Sequence, residues 1–143
     1  MKFARGMLIF SYGLFSIAAQ TLLFREFITA FEGNDISVGI FFSTWFLWVG
    51  AGAIIVRMVK SLVDKLAAQT ELLFLAYLPA FVLQMILMIQ AREIAGIESY
   101  ALWSIRDIVL VSILVNAPIS LITGILFPIT CRWIELKSVE EGK

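Results

Sequence analysis

The chain has 143 residues with 11 basic and 11 acidic side chains, and it is 61% hydrophobic against 15% charged. A soluble domain runs nearer half apolar and a quarter charged, and a core of this size cannot hide so much apolar surface, so the natural solvent is lipid. Formal neutrality excludes nucleic acid as a partner; the lack of histidine excludes His-ligated haem and most catalytic zinc or copper sites; and a single cysteine, Cys131, excludes an internal disulfide or a thiolate cage.

Four stretches, 6–24, 36–56, 72–91 and 108–131, are predominantly apolar and hold no Asp, Glu, Lys or Arg. Each has about the 20 residues that a helix needs to cross a bilayer. Charge at mid-bilayer costs a few kcal/mol, and unpaired backbone cannot sit in hydrocarbon. The expected fold is therefore all-α: a single polytopic integral membrane domain over 1–143, with four transmembrane helices. No linker or low-complexity run divides it.

The first span follows Lys2 and Arg5, and Ser16-Ile17-Ala18 has the look of a signal-peptide cleavage site. The apolar run continues to Phe24, longer than a typical h-region, so the span is read as a retained helix. Gly13, Ser16 and Gln20 share one face of it. The connection 25–35 is the richest in polar groups: Arg25, Glu26, Glu32, Gly33, Asn34 and Asp35. Gly33-Asn34 permits a tight turn, and Asn34 or Asp35 can cap span two. Gln20, Arg25, Glu26, Asn34 and Asp35 are predicted to form one outer polar patch, with Arg25 paired to Glu26, Asp35 or Asp107. A clasp between helix ends and a binding cluster both fit that composition.

Span two carries Gly39, Ser43 and Gly50-Ala51-Gly52-Ala53, which permit close packing, and Trp45 and Trp48 one turn apart. The inner connection 57–71 places Met58, Leu62 and Leu66 at i, i+4 and i+8, as in an amphipathic helix lying on the inner leaflet. Span three has Ala76, Ala80 and Gln84 on one face, with a kink expected at Pro79. The outer connection 93–106 holds Ile94, Ile97, Tyr100 and Trp103, suited to an interface.

Span four is the clearest case of a packing stripe. Ser112, Asn116, Ser120 and Gly124 recur every fourth residue, and Pro118 and Pro128 each remove a backbone donor. Small and polar residues locate packing faces where lipid supplies no hydrophobic force between helices. These four and Gln84 are candidates for helix packing or for lining a solute path.

Orientation follows the basic residues. With the N-terminus inside, eight lie in inner segments and three, Arg25, Arg92 and Arg106, lie in outer loops. That asymmetry places both termini in the cytoplasm and the chain in the plasma (inner) membrane.

One segment carries a family resemblance. Ser16-x-x-x-Gln20-x-Leu22-Leu23-x-Arg25-Glu26-Phe27, then Phe31-x-Gly33-Asn34-Asp35-x-x-x-Gly39-Ile40 and Trp45, resembles the membrane domain of spermidine synthase-like integral membrane proteins. Ala117-Pro118 and Gly124-Ile125-Leu126-Phe127-Pro128 look like a later element of that domain. Asp35 stands where the family usually has Glu. Family members commonly continue through more spans into a soluble aminopropyltransferase-like domain, whose Gly-rich nucleotide-binding turn has no counterpart in these 143 residues. The resemblance implies a membrane module without that catalytic part.

The spans also offer no Ser-His-Asp set and no metal ligands, so no enzyme activity, cofactor or metal is expected. The leading expectation is a non-catalytic membrane subunit that scaffolds or anchors partners: other membrane or periplasmic subunits, or further copies of itself. A transport module for a small cationic or polar solute, and an anchor for a separately encoded spermidine synthase-like enzyme, are the alternatives.

Overall fold

Backbone in hydrocarbon must be satisfied within its own segment, and helices, which do this, make up nearly all of the described chain. The computed structural model describes residues 2–33, 35–67, 69–98 and 101–141, and these form eight α-helices in chain order. They are α1 (Lys2–Ala30), α2 (Asp35–Met58), α3 (Lys60–Ala67), α4 (Thr70–Leu75), α5 (Tyr77–Ile89), α6 (Ala91–Ala95), α7 (Ile105–Val115) and α8 (Ala117–Glu141). No strand occurs among the described residues.

Three helical stretches are long and apolar enough to cross a membrane: Gly6–Ala30, Asp35–Met58 and Ala117–Leu136. The apolar stretch Leu73–Ile89 is shorter. Their outward faces are rich in large apolar side chains: Phe10, Ile54, Leu75 and Phe127 are all at least 60% exposed. A water-soluble surface does not present such faces, whereas acyl chains cover them.

Two proline breaks shape the bundle. Pro79 has no N–H, and its ring opposes the carbonyl four residues back. The helix accordingly breaks at Ala76, between α4 and α5. Pro118 acts in the same way, and α7 gives way to α8 at Asn116. The predicted third and fourth spans therefore each consist of two helical pieces.

The first connection also differs from expectation. Residues 25–30 extend α1 as helix, with the Thr29 hydroxyl donating to the Arg25 carbonyl at 3.0 Å. Only the few residues after Ala30 turn, through positive φ at Glu32 (59°) and Gly33 (42°). Asn34 lies outside the described residues. The Phe27 and Phe31 rings stack at 4.3 Å and are fully buried, which explains why the helix persists beyond Arg25.

The packing order is α1 against α5, α5 against α8, and α8 against α2, with α7 also on α2. α1 and α2 touch over a short length only, where Phe24 meets Phe41 and Phe42. α2 and α8 come closest. A Cβ on Gly124 would run into the Val49 carbonyl oxygen, and one on Gly52 would lie 2.5 Å from that of Leu121. Only glycine permits this contact between backbones.

Candidate functional site

A helix broken by proline leaves backbone groups that lipid cannot satisfy. At the α7–α8 break the chain supplies partners from other helices. The Ile119 N–H, which an unbroken helix would direct at the Val115 carbonyl, donates instead to Gln84 Oε1 of α5 at 3.0 Å. The other half of that amide, Nε2, donates to Asn116 Oδ1 at 3.3 Å. Asn116 Nδ2 then donates to Thr44 Oγ1 of α2 at 2.8 Å and to the Phe41 carbonyl at 3.4 Å. Thr44 in turn donates to carbonyls of its own helix. Gln84, Asn116 and Thr44 are 1%, 0% and 6% exposed, so this is a dry seam.

A second set of bonds meets the first at Ile119. Ser16 of α1 lies 3.0 Å from the Tyr77 hydroxyl of α5, and that hydroxyl lies 2.8 Å from Thr123 Oγ1 of α8. Thr123 donates to the Ile119 carbonyl at 2.8 Å. The polar groups thus run without interruption from α1 through α5 and α8 to α2. On the far side of the break, Trp48 Nε1 donates to the Ile113 carbonyl at 2.7 Å.

Ser112 and Ser120 lie on the same stripe as Asn116 and are fully buried, but their hydroxyls have no hydrogen-bond partner. Gly124 continues the stripe into the contact with Val49. The structure therefore brings Gln84 and Asn116 together and buries Ser112, Ser120 and Gly124 along the same seam. Thr44, Tyr77, Thr123 and Trp48 complete it. Sequence reasoning passed over Thr44 although a signal existed: Ser37, Phe41, Thr44, Trp48 and Gly52 recur at helical spacing on α2. Gly39 and Ser43, chosen for their small size, lie on the exposed face. The seam's side chains are amides, hydroxyls and one indole, so its chemistry is hydrogen bonding.

At the end of the bundle bearing the first connection, the central cation is Arg92 of α6. It pairs with Glu32, donates to the Glu98 and Ala101 carbonyls at 3.2 Å each, and lies over the Trp103 ring at 5.6 Å. The Trp103 indole donates to the Ala30 carbonyl at 3.1 Å and packs on Phe31. Arg92 thus ties the Glu98 and Ala101 backbone to the turn that follows α1. Arg25, by contrast, is exposed and has no ion-pair partner among the described residues. Glu26 is half-buried on α1, and Asp35 is exposed in the first turn of α2. Gln20 lies about a turn and a half below Arg25, on a separate groove between α1 and α2. Among the described residues Asp107 joins no partner across the mouth; it closes a local cap in which Ser104 Oγ accepts from Asp107 N at 3.2 Å.

No family model, curated protein or solved structure matches this chain.

Proposed function

We propose that the chain is a non-catalytic, four-span integral membrane subunit that scaffolds or anchors partner proteins. The spans are α1, α2, the α4–α5 pair and the α7–α8 pair, in the inner membrane with both termini cytoplasmic. α3 is then the amphipathic inner connection. The observation that carries the scaffold reading is the closed bond chain Gln84–Asn116–Thr44, buried and satisfied within the bundle. Amides that fix three spans to one another, with the Ser16–Tyr77 hydroxyls adding α1, make a rigid body, and a rigid body suits a subunit that positions others.

The resemblance of the 16–45 segment to the membrane domain of spermidine synthase-like proteins supports anchoring of a separately encoded enzyme as one form of this role. The transport reading draws on the unpaired hydroxyls of Ser112 and Ser120, which are polar groups without a structural use. Against it, the apolar runs 6–24, 36–56, 72–91 and 108–131 hold no Asp or Glu to neutralise a cationic solute.

The test is purification from native membranes with identification of co-eluting chains, alongside solute flux in liposomes. Stoichiometric co-purification of membrane or periplasmic subunits supports the scaffold, and a catalytic partner supports its anchoring form. A lone oligomer that conducts a solute overturns it.

A further inference from the structure

α1 and α2 touch over a short length only, and a groove of about 210 Å³ lies between them. Its walls include Ile17, Gln20 and Phe24 of α1 and Phe41, Phe42 and Trp45 of α2. The aromatic rings are already in contact: Phe24 lies 5.1 Å from Phe41, and Phe42 lies 6.3 Å from Trp45. Three polar groups break this apolar lining; the Thr21 hydroxyl is satisfied by the Ile17 carbonyl of its own helix at 2.9 Å, and the other two are not. The Gln20 side chain has no hydrogen-bond partner among the described residues, and the Trp45 Nε1–H is buried without one. Water satisfies such groups at a protein surface, but in hydrocarbon an unpaired donor is costly.

We propose that the groove binds the ring of a lipid-soluble quinone, with Gln20 and Trp45 as donors to its carbonyls. Depth selects this occupant. Trp45 lies nine residues into the apolar run that begins at 36, about 13 Å along the helix and so near the middle of a core of about 30 Å. The ester carbonyls of phospholipids lie at the edge of that core and do not reach it. An alkyl chain reaches it but gives Gln20 and Trp45 nothing to bond. A flat ring with a carbonyl at each end offers two acceptors and two faces for the phenylalanines. The volume is below the range of about 300 Å³ upward for drug-sized sites, so it suits a ring alone, with any tail left in lipid. Gln20 is reached directly, whereas a rotation of the indole delivers the Trp45 donor. The proposal rests on the membrane-spanning reading but not on the scaffold role.

The test uses the full chain in lipid nanodiscs, titrated with a decyl-substituted benzoquinone and, as a control, with decylbenzene, which has the same tail and no carbonyl. The readout is the thermal unfolding midpoint. A saturable rise with the quinone and none with decylbenzene is expected, with affinity about tenfold weaker in Gln20→Leu, the effect of losing one good hydrogen bond. Trp45→Phe keeps an aromatic wall, loses the donor and should also weaken binding. Equal rises with both compounds overturn the proposal, and so does wild-type affinity in both variants. If either variant fails to fold, the comparison of the two compounds on the wild-type chain decides. Recovery of the chain outside the membrane fraction would reject the spanning reading; membrane insertion without a saturable shift rejects the quinone site alone.

Discussion

Gln84 Oε1 lies 3.0 Å from the backbone nitrogen of Ile119, where α7 gives way to α8. A side chain on one helix thus takes the place of a backbone carbonyl on another. The break and the amide that repairs it are coupled: without the break Ile119 N–H needs no help, and without Gln84 the break exposes a donor inside the bundle. Single hydrogen bonds between membrane helices average under about 1 kcal/mol. Gln84 makes two, and one of them satisfies backbone. Gln84→Leu should therefore destabilise by about 2 kcal/mol, toward the upper part of the cost of a buried unsatisfied group. Thr44→Val should cost less, because Asn116 Nδ2 retains the Phe41 carbonyl. Reversible unfolding in bicelles measures both, and equal small effects would show that Gln84 does not hold the break.

The α2–α8 contact separates glycines by position. A side chain on Gly124 would meet the Val49 backbone, whereas Gly39 and Gly50 have nothing within 4 Å. Alanine is favoured over glycine in a helix by about 1 kcal/mol. Gly39→Ala and Gly50→Ala should therefore be neutral or mildly stabilising. Gly124→Ala should destabilise by about 1–3 kcal/mol, the cost of overpacking, because two backbones must part. Thermal unfolding of the three variants in one detergent checks the contrast. A stable Gly124→Ala protein would mean that the helices do not approach so closely.

Arg92 and Arg25 make a similar pair. Both precede a glutamate, Glu93 and Glu26, and the sequence pointed to Arg25 as the cation of the outer patch. Arg92→Ala removes an ion pair, two carbonyl bonds and a contact over Trp103. Exposed ion pairs contribute only about 0–1 kcal/mol, but the carbonyl bonds and the ring raise the expected loss to about 1–2 kcal/mol. Arg92→Lys should not restore it, since one ammonium cannot fork to a carboxylate and two carbonyls. Arg25→Ala should leave stability unchanged. Faster proteolysis near Glu98 and Ala101 in Arg92→Ala, with Arg25→Ala like wild type, is the expected readout.

These residues show where the sequence was readable. Composition and apolar run length pointed to lipid, and Pro79 and Pro118 mark the breaks because proline acts on its own helix. The 112–116–120–124 stripe and Gln84 stood out because polar residues are rare among apolar ones. What could not be read was pairing between distant segments. Nothing local to Arg92 says that the loop beyond it returns over Ala30, and nothing local to Thr44 says that an asparagine 72 positions away faces it. Residues 25–30 misled for a related reason. Charge near the end of an apolar run resembles a turn, but the burial of Phe27 and Phe31 keeps those residues helical.

Orientation supplies the last prediction. Basic residues in short loops stay on the cytoplasmic side, and counting them places the connection after α1 outside. Glu26→Cys and Lys65→Cys, each in a Cys131→Ser background, place one thiol at either end of the bundle; Lys65 is exposed and Glu26 is half-buried near the end of α1. A membrane-impermeant maleimide applied to intact spheroplasts should label position 26 and spare position 65. After the membrane is opened, both should react. The same experiment tests the four-span reading. With α4–α5 as a span, Glu98→Cys falls on the same side as Glu26→Cys, and with α4–α5 lying within one leaflet it falls on the side of Lys65→Cys. Labelling of position 98 together with position 65 would therefore remove the third span, and labelling of position 65 alone in intact spheroplasts would invert the protein.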